Sequence, residues 1–160
     1  MCVVARTRRG NQLTRQFQRN QRALTAQINN QLAASYRVLD AAGDASEVDR
    51  WLTVWGREAQ EGYARSQRLG ESYVREFAVA EGFTLPDELP KSPLDMETLG
   101  SELRWRGPRV IAEKVDAGMS VAAARTSVLE RLQGVVANHV QNGGRGVIIG
   151  ASKYSGKRGR

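Results

Sequence analysis

Between Leu13 and Leu39 the apolar positions Leu13, Phe17, Leu24, Ile28, Leu32, Tyr36 and Leu39 recur at intervals of three, four or seven. Gln, Asn and Arg fill the gaps. The spacing places the apolar residues on one stripe of a 3.6-residue period and predicts a helix from about Thr7 to Leu39. Gly10 is expected to divide a frayed tip from the stable part. At 1.5 Å per residue such a helix is about 50 Å long. A rod with one narrow apolar stripe needs a partner helix to cover it.

A second stripe follows the turn Ala41-Ala42-Gly43-Asp44: Val48, Leu52, Trp55, Ala59, Tyr63, Tyr73, Phe77 and Ala80, with Leu69 nearby. Ser46 and Asp49 read as a capping box at its start, and Gly82 as its stop. Gly56, Gly62, Ser66 and Gly70 make its centre small. Each glycine costs about 1 kcal/mol relative to Ala in a helix interior. They suggest a kink, a close backbone approach by another helix, or a locally weak helix.

All four prolines lie between Pro86 and Pro108. Residues 83–93 hold three of them and read as an extended linker. Ser92-Pro93-Leu94-Asp95 is expected to restart a helix with Ser92 as N-cap. That helix carries Leu94, Leu99 and Leu103, is broken or kinked at Gly107-Pro108, and ends at Gly118. Ser120 caps a last helix, Val121 to Asn142, carrying Val121, Ala124, Val128, Leu132, Val135 and Val136. Asn142-Gly143-Gly144 is expected to terminate it. The expected fold is all-α: a long helical hairpin over residues 1–82, the linker 83–93, a smaller helical pair over 94–143 and a basic, flexible tail over 144–160. No internal repeat is visible.

Aromatic residues make up only 6% of the chain, which predicts a core mostly of Leu, Val and Ala. No apolar run approaches the roughly 20 residues of a membrane span. The start, Met1-Cys2-Val3-Val4-Ala5-Arg6, lacks the pattern of a signal peptide. Charge is uneven. Residues 1–39 hold seven Arg and no acid, and residues 144–160 hold five basic residues and no acid. The other twelve basic residues share the middle with all 17 acids. Basic ends on an acidic body suggest an anionic partner at the ends, either nucleic acid or an acidic protein surface.

Arg8, Arg15, Arg19 and Arg22 sit three, four or seven apart and can share one helical face opposite the apolar stripe. Such a face can lie along phosphates, releasing counterions, or along an acidic protein, or be merely solvated. Lys153, Lys157, Arg158 and Arg160 read as a flexible anion-binding tail. No aromatic interleaving suggests base stacking. The single cysteine, Cys2, excludes an internal disulfide and a cysteine-based zinc site. His139, the only histidine, reads as a half-buried helical residue rather than a base. No Gly-x-Ser-x-Gly elbow or phosphate loop of the Walker pattern occurs. Gly143-Gly144-Arg145-Gly146 reads as a helix stop before it reads as an anion nest. Glu58 and Glu61 read as solvated rather than as an acid/base pair. The expectation is a non-catalytic chain with no metal or cofactor.

The stretch Arg65-Ser-Gln-Arg-Leu-Gly-Glu-Ser-Tyr-Val-Arg-Glu-Phe-Ala-Val-Ala-Glu-Gly82 resembles minor head proteins of tailed phages of actinobacteria, as do the later Gly107-Pro108 and His139-Val-Gln-Asn-Gly-Gly-Arg145. Order and spacing match over most of the chain. Such proteins are described as MuF-like minor capsid proteins, sometimes as capsid maturation proteases. The resemblance implies a structural protein inside the phage head near the portal, made in the host cytoplasm and present in several copies per particle. It acts there in head assembly or DNA packaging. The implied partners are portal or major capsid protein and packaged DNA, with no membrane. Family members continue into a further C-terminal region that this chain, ending at Arg160, does not contain. A capsid maturation protease, or a fragment of one, is the first alternative. A DNA-binding accessory protein is the second. Docking is expected through the two stripes, at Leu13, Phe17, Leu24, Ile28, Leu32, Trp55, Tyr63, Tyr73 and Phe77.

Overall fold

A computed structural model describes residues 5–41 and 47–156. The chain is all-helical, with no β-strand among the described residues. Its elements are α1 (Arg8–Ala41), α2 (Glu47–Glu81), α3 (Met96–Arg104), a π-helical turn (Trp105–Arg109), α4 (Val110–Asp116) and α5 (Val121–Ser152). No helix among the described residues is long and apolar enough to cross a membrane. The expected turn at residues 42–45 and the N-cap Ser46 lie outside the described residues.

Two compact units form, and they interleave along the chain. The first takes its described residues from 1–25, 62–94 and 140–160, the second from 26–61 and 95–139. A division into consecutive segments at the prolines is therefore corrected. The physical reason is that residues 83–94 are not a free linker. Phe83 and Leu89 are buried. Tyr63 Oη and Gln67 Nε2 both donate to the Ser92 carbonyl, at 2.9 and 2.8 Å. Lys91 pairs with Glu71 at 2.6 Å. Arg75 donates to the carbonyls of Pro86 and Asp87. Proline set the backbone extended, and these contacts strap it down.

In the first unit Leu13, Tyr73, Val74, Phe77, Ala78, Phe83, Leu89, Val147 and Ala151 form the core, with Phe17 and Ile148 against it. Thr14 bonds Tyr73 and Gln21 bonds Ser66, so α1 and α2 run antiparallel here. The start of α1 is anchored. The Glu81 carboxylate accepts from the Arg6 and Thr7 amides, both at 2.9 Å, and from the Thr7 hydroxyl at 2.7 Å. Thr7 Oγ1 in turn accepts from the Gly10 amide at 2.9 Å, an N-cap bond. Gly10 is buried, and a Cβ there would strike the Glu81 carboxylate. The expected frayed tip is thus corrected to a pinned one.

In the second unit Ile28, Leu32, Tyr36, Trp51, Leu52, Trp55 and Ala59 are buried, as are Leu99, Leu103, Ala124, Val128, Leu132 and Val136. Trp51 meets Trp55 edge-on at 5.1 Å, and Trp55 Nε1 donates to Ser35 Oγ at 3.1 Å. The expectation of a Leu, Val and Ala core holds for α5 but not for α2, where the few aromatics gather. Asp95, not Ser92, caps α3: its carboxylate accepts from the Thr98 amide at 3.0 Å and the Thr98 hydroxyl at 2.6 Å. The Ser92 carbonyl is held instead by α2. The predicted break at Gly107-Pro108 takes the form of the π turn, a wider winding that accommodates a proline without an N–H. Gly118 ends α4 at φ +100°, a left-handed value that favours glycine. Ser120 caps α5 through the Ala123 amide at 3.2 Å.

The expected end of the last helix at Asn142 is corrected: α5 runs on to Ser152. Gly143 and Gly144 are packing sites rather than stops. A Cβ on Gly143 would lie 2.5 Å from the Tyr63 carbonyl oxygen, and one on Gly70 would lie 2.8 Å from the Gly144 carbonyl oxygen. Bare backbone lets α5 and α2 approach this closely. Gly70 thus fulfils the close-approach reading of the small residues in α2, and Gly143 and Gly144 are neither a stop nor a nest.

Burial repeats every eleven residues. In α2 the buried positions are Trp51, Leu52, Trp55 and Ala59, then Gly62, Tyr63, Ser66 and Gly70, then Tyr73, Val74 and Phe77. In α1 Leu13 is followed by Leu24, and Gly10 by Gln21 and Leu32. Eleven residues make three turns at 3.67 per turn, close to the α-helical period, so a burial stripe keeps its face.

Candidate anion-binding face and groove

Arg15, Arg19 and Arg22 are exposed on α1 in the first unit and line one shallow pocket with Gln12 and Gln18. The i, i+4, i+7 spacing read from the sequence brings them to a common face. Among the described residues no carboxylate pairs with any of the three. Of the acids of this unit, Glu71 pairs with Lys91 and Arg75, Glu76 pairs with Arg9, and Glu81 holds the start of α1, while Asp87 and Glu88 lie in the segment after α2. The Glu71 carboxyl is held below its ordinary value, first by the Lys91 hydrogen bond and then by Arg75, against its desolvation. Arg8 is exposed on the same helix but outside that pocket. Lys153 is exposed just beyond α5, its ammonium 5.0 Å from the Tyr154 ring. Lys157, Arg158 and Arg160 lie outside the described residues.

Beside this face runs a groove of about 590 Å³ between α1 and α5. Phe17, Ile148 and Ile149 give it an apolar side; Gln18, Gln21, Arg22, Gln141 and Arg145 give it a polar one. Phe17 is fixed by stacking on Tyr73 at 4.8 Å. Gln21 is fixed by Ser66: its amide donates to the Ser66 hydroxyl at 2.8 Å and accepts back at 3.1 Å. Arg145 is steered by Gln141, 3.2 Å away. No acid lines the groove. The arrangement can bind negative charge beside apolar surface. It holds no nucleophile beside a base.

No protein-family model, curated protein or solved structure matches the chain. The site therefore stands on its own geometry.

The predicted docking stripes come out differently. Leu13, Leu24, Ile28, Leu32, Trp55, Tyr63, Tyr73 and Phe77 are buried within their units, and Phe17 partly so. Except for Phe17, which lines the groove, the expectation that they face a partner is corrected. In the first unit Leu13, Tyr73 and Phe77 pack with Val147 and Ala151, beyond the expected end of α5, and with Phe83 and Leu89 of the strapped segment. The groove residues Arg145, Ile148 and Ile149 lie beyond the expected end of the helix at Asn142 and were missed for that reason. Their signal was the fourfold spacing of Val136, Val140, Gly144 and Ile148, which runs straight through the glycines.

In the second unit the His139 side chain is 15% exposed and its Nε2 lies 2.9 Å from the Glu102 carboxylate. This agrees with a half-buried helical residue. The π turn carries a feature the sequence reading overlooked: Trp105 is 52% exposed, with the Arg106 and Arg109 guanidiniums 5.6 and 5.9 Å from its ring centre. Arg104-Trp105-Arg106-Gly107-Pro108-Arg109 sets an aromatic ring among cations. Among the described residues no three of His, Cys, Asp and Glu gather as metal ligands would.

Proposed function

We propose that this chain is a non-catalytic structural protein of a tailed-phage head, of the MuF-like minor capsid type. It sits inside the capsid near the portal and holds an anionic partner on the arginine face of α1. The family part of this reading is supported by the resemblance of residues 65–82, 107–108 and 139–145. In the fold those residues are packing elements: Ser66, Gly70, Gly143 and Gly144 make the tightest helix contacts, and Gly107-Pro108 forms the π turn. A motif of that kind suits a scaffold.

The binding part is carried by one observation. Arg15, Arg19 and Arg22 share a solvent-facing row with no carboxylate across it. Three cations in a row with no acid lining it attract an anionic surface.

Two measurements test the reading. Purified heads treated with protease before and after DNA release should protect the chain only in the intact particle. A chain absent from heads, or digested in intact ones, removes the head-protein assignment. Incubation of the purified chain with major capsid protein should leave the capsid protein uncut, and specific cleavage would favour the maturation-protease reading instead.

A further inference from the structure

We propose that the groove between α1 and α5 of the first unit docks an acidic amphipathic helix of a partner protein. The inference deepens the head-protein reading and rests on it for the existence of a partner. It names the surface and the chemistry that fits.

The apolar side comes first. Ile149 is 57% exposed. A single exposed isoleucine is ordinary, but this one continues Ile148 and Phe17 into one apolar strip. The strip lies along two helices: Phe17 and Gln21 are one turn apart on α1, and Gln141, Arg145 and Ile149 are spaced by four on α5. A channel between two helices receives the side chains of a third, anchored at i, i+3, i+4 and i+7.

The charge comes second. Arg22 and Arg145 border the groove, and Arg15 and Arg19 extend the positive row along α1. With no acid in the lining, carboxylates on the flanks of an incoming helix meet only guanidiniums and Gln amides. Arginine forks bind carboxylates in bidentate fashion.

The two features together separate protein from nucleic acid. A phosphate backbone would be satisfied by the arginines and would leave Ile148 and Ile149 uncovered. Base stacking needs a free ring face, and Phe17 is stacked on Tyr73. A small ligand would have most of its surface enclosed, whereas Arg22, Arg145 and Ile149 all face solvent.

The test uses the full chain and a fluorescent synthetic helix with Leu on one stripe and Glu on its flanks, read by anisotropy. A second peptide keeps every Glu and replaces Leu by Ser. Ile149→Asp and the double variant Arg22→Glu/Arg145→Glu change only exposed residues, and circular dichroism verifies their helicity. The Leu peptide should bind. The Ser peptide, and each variant with the Leu peptide, should bind at least about tenfold more weakly. The double variant should recover binding to a peptide with Lys in place of Glu. Equal binding of the Leu and Ser peptides overturns the proposal, as does wild-type binding by Ile149→Asp or no binding of the Leu peptide at all. Duplex DNA binding that depends on the arginines but not on Ile149 hands the face to nucleic acid and overturns it too. None of these failures touches the protease-protection result, which judges the head-protein reading separately.

Discussion

The Gly144 amide donates to the Ser66 hydroxyl across 2.8 Å, and a Cβ on Gly144 would stand 3.0 Å from the Ser66 carbonyl oxygen. The same hydroxyl serves Gln21, so one fully buried serine joins α1, α2 and α5 within the first unit. Replacing Ser66 by Ala removes the hydroxyl's bonds to Gln21 and Gly144 and leaves Gln21 Nε2 only its long 3.5 Å bond to the Gln141 carbonyl. The expected loss is about 1–3 kcal/mol, read from urea unfolding.

The glycines of α5 should divide into two classes. Gly143→Ala and Gly144→Ala push a methyl into the carbonyl groups of α2, and backbone cannot swing aside. They should destabilise by about 1–3 kcal/mol despite the better helix propensity of Ala. A Cβ on Gly134 meets nothing within 4 Å. Gly134→Ala should therefore stabilise by about 0.5–1 kcal/mol. Thermal unfolding of the three variants side by side checks the division.

If the stripes of α1 and α2 are interior, truncating them must weaken the isolated chain. Leu32→Ala should cost about 2–5 kcal/mol and Trp55→Ala about 3–5 kcal/mol. Both residues are wholly inaccessible. Unchanged unfolding midpoints in the absence of any partner would show that these positions are surface.

Glu71 sets an acid sensitivity. Its folded carboxyl titrates below the ordinary value of 4.5 because Lys91 and Arg75 favour the charged form. A depressed carboxylate contributes stability above its unfolded value and loses it as pH falls through the folded one. Glu71→Gln should be less stable than wild type at neutral pH. The gap should close on acidification below the ordinary carboxylate range, as urea midpoints across pH will report.

The arginine face should act through charge and not through folding. Arg15→Glu and Arg19→Glu replace exposed side chains, so stability should move by no more than about 0.5 kcal/mol. Affinity for an anionic partner should fall with each. If that partner is DNA, each lost phosphate contact should flatten the log–log salt dependence by about 1. Titrations between about 50 and 200 mM salt give the slope.

Helix positions were legible in the residues because period 3.6 is a local signal. Leu13 to Tyr36 and Leu52 to Phe77 fall on buried faces as their spacing requires. The arginine row was legible for the same reason. What could not be read was tertiary. Gly143 and Gly144 look like a helix stop until another backbone is known to press against them. Ser92 looks like a cap until α2 is seen to claim its carbonyl. The extra turns of α5 then hid the first-unit cover of Leu13, Tyr73 and Phe77 and the groove side formed by Arg145, Ile148 and Ile149. The eleven-residue repeat went unseen because each round uses different side chains: Trp51, Leu52 and Trp55 give way to Gly62, Tyr63 and Ser66.

That repeat constrains how such a chain can change its length. Inserting one residue in mid-helix turns everything beyond it by about 100°, moving the greasy edge into water. Inserting three full turns at once restores the facing and lengthens a helix by about 17 Å. An insertion that α1 or α2 tolerates should therefore come as a block of eleven residues.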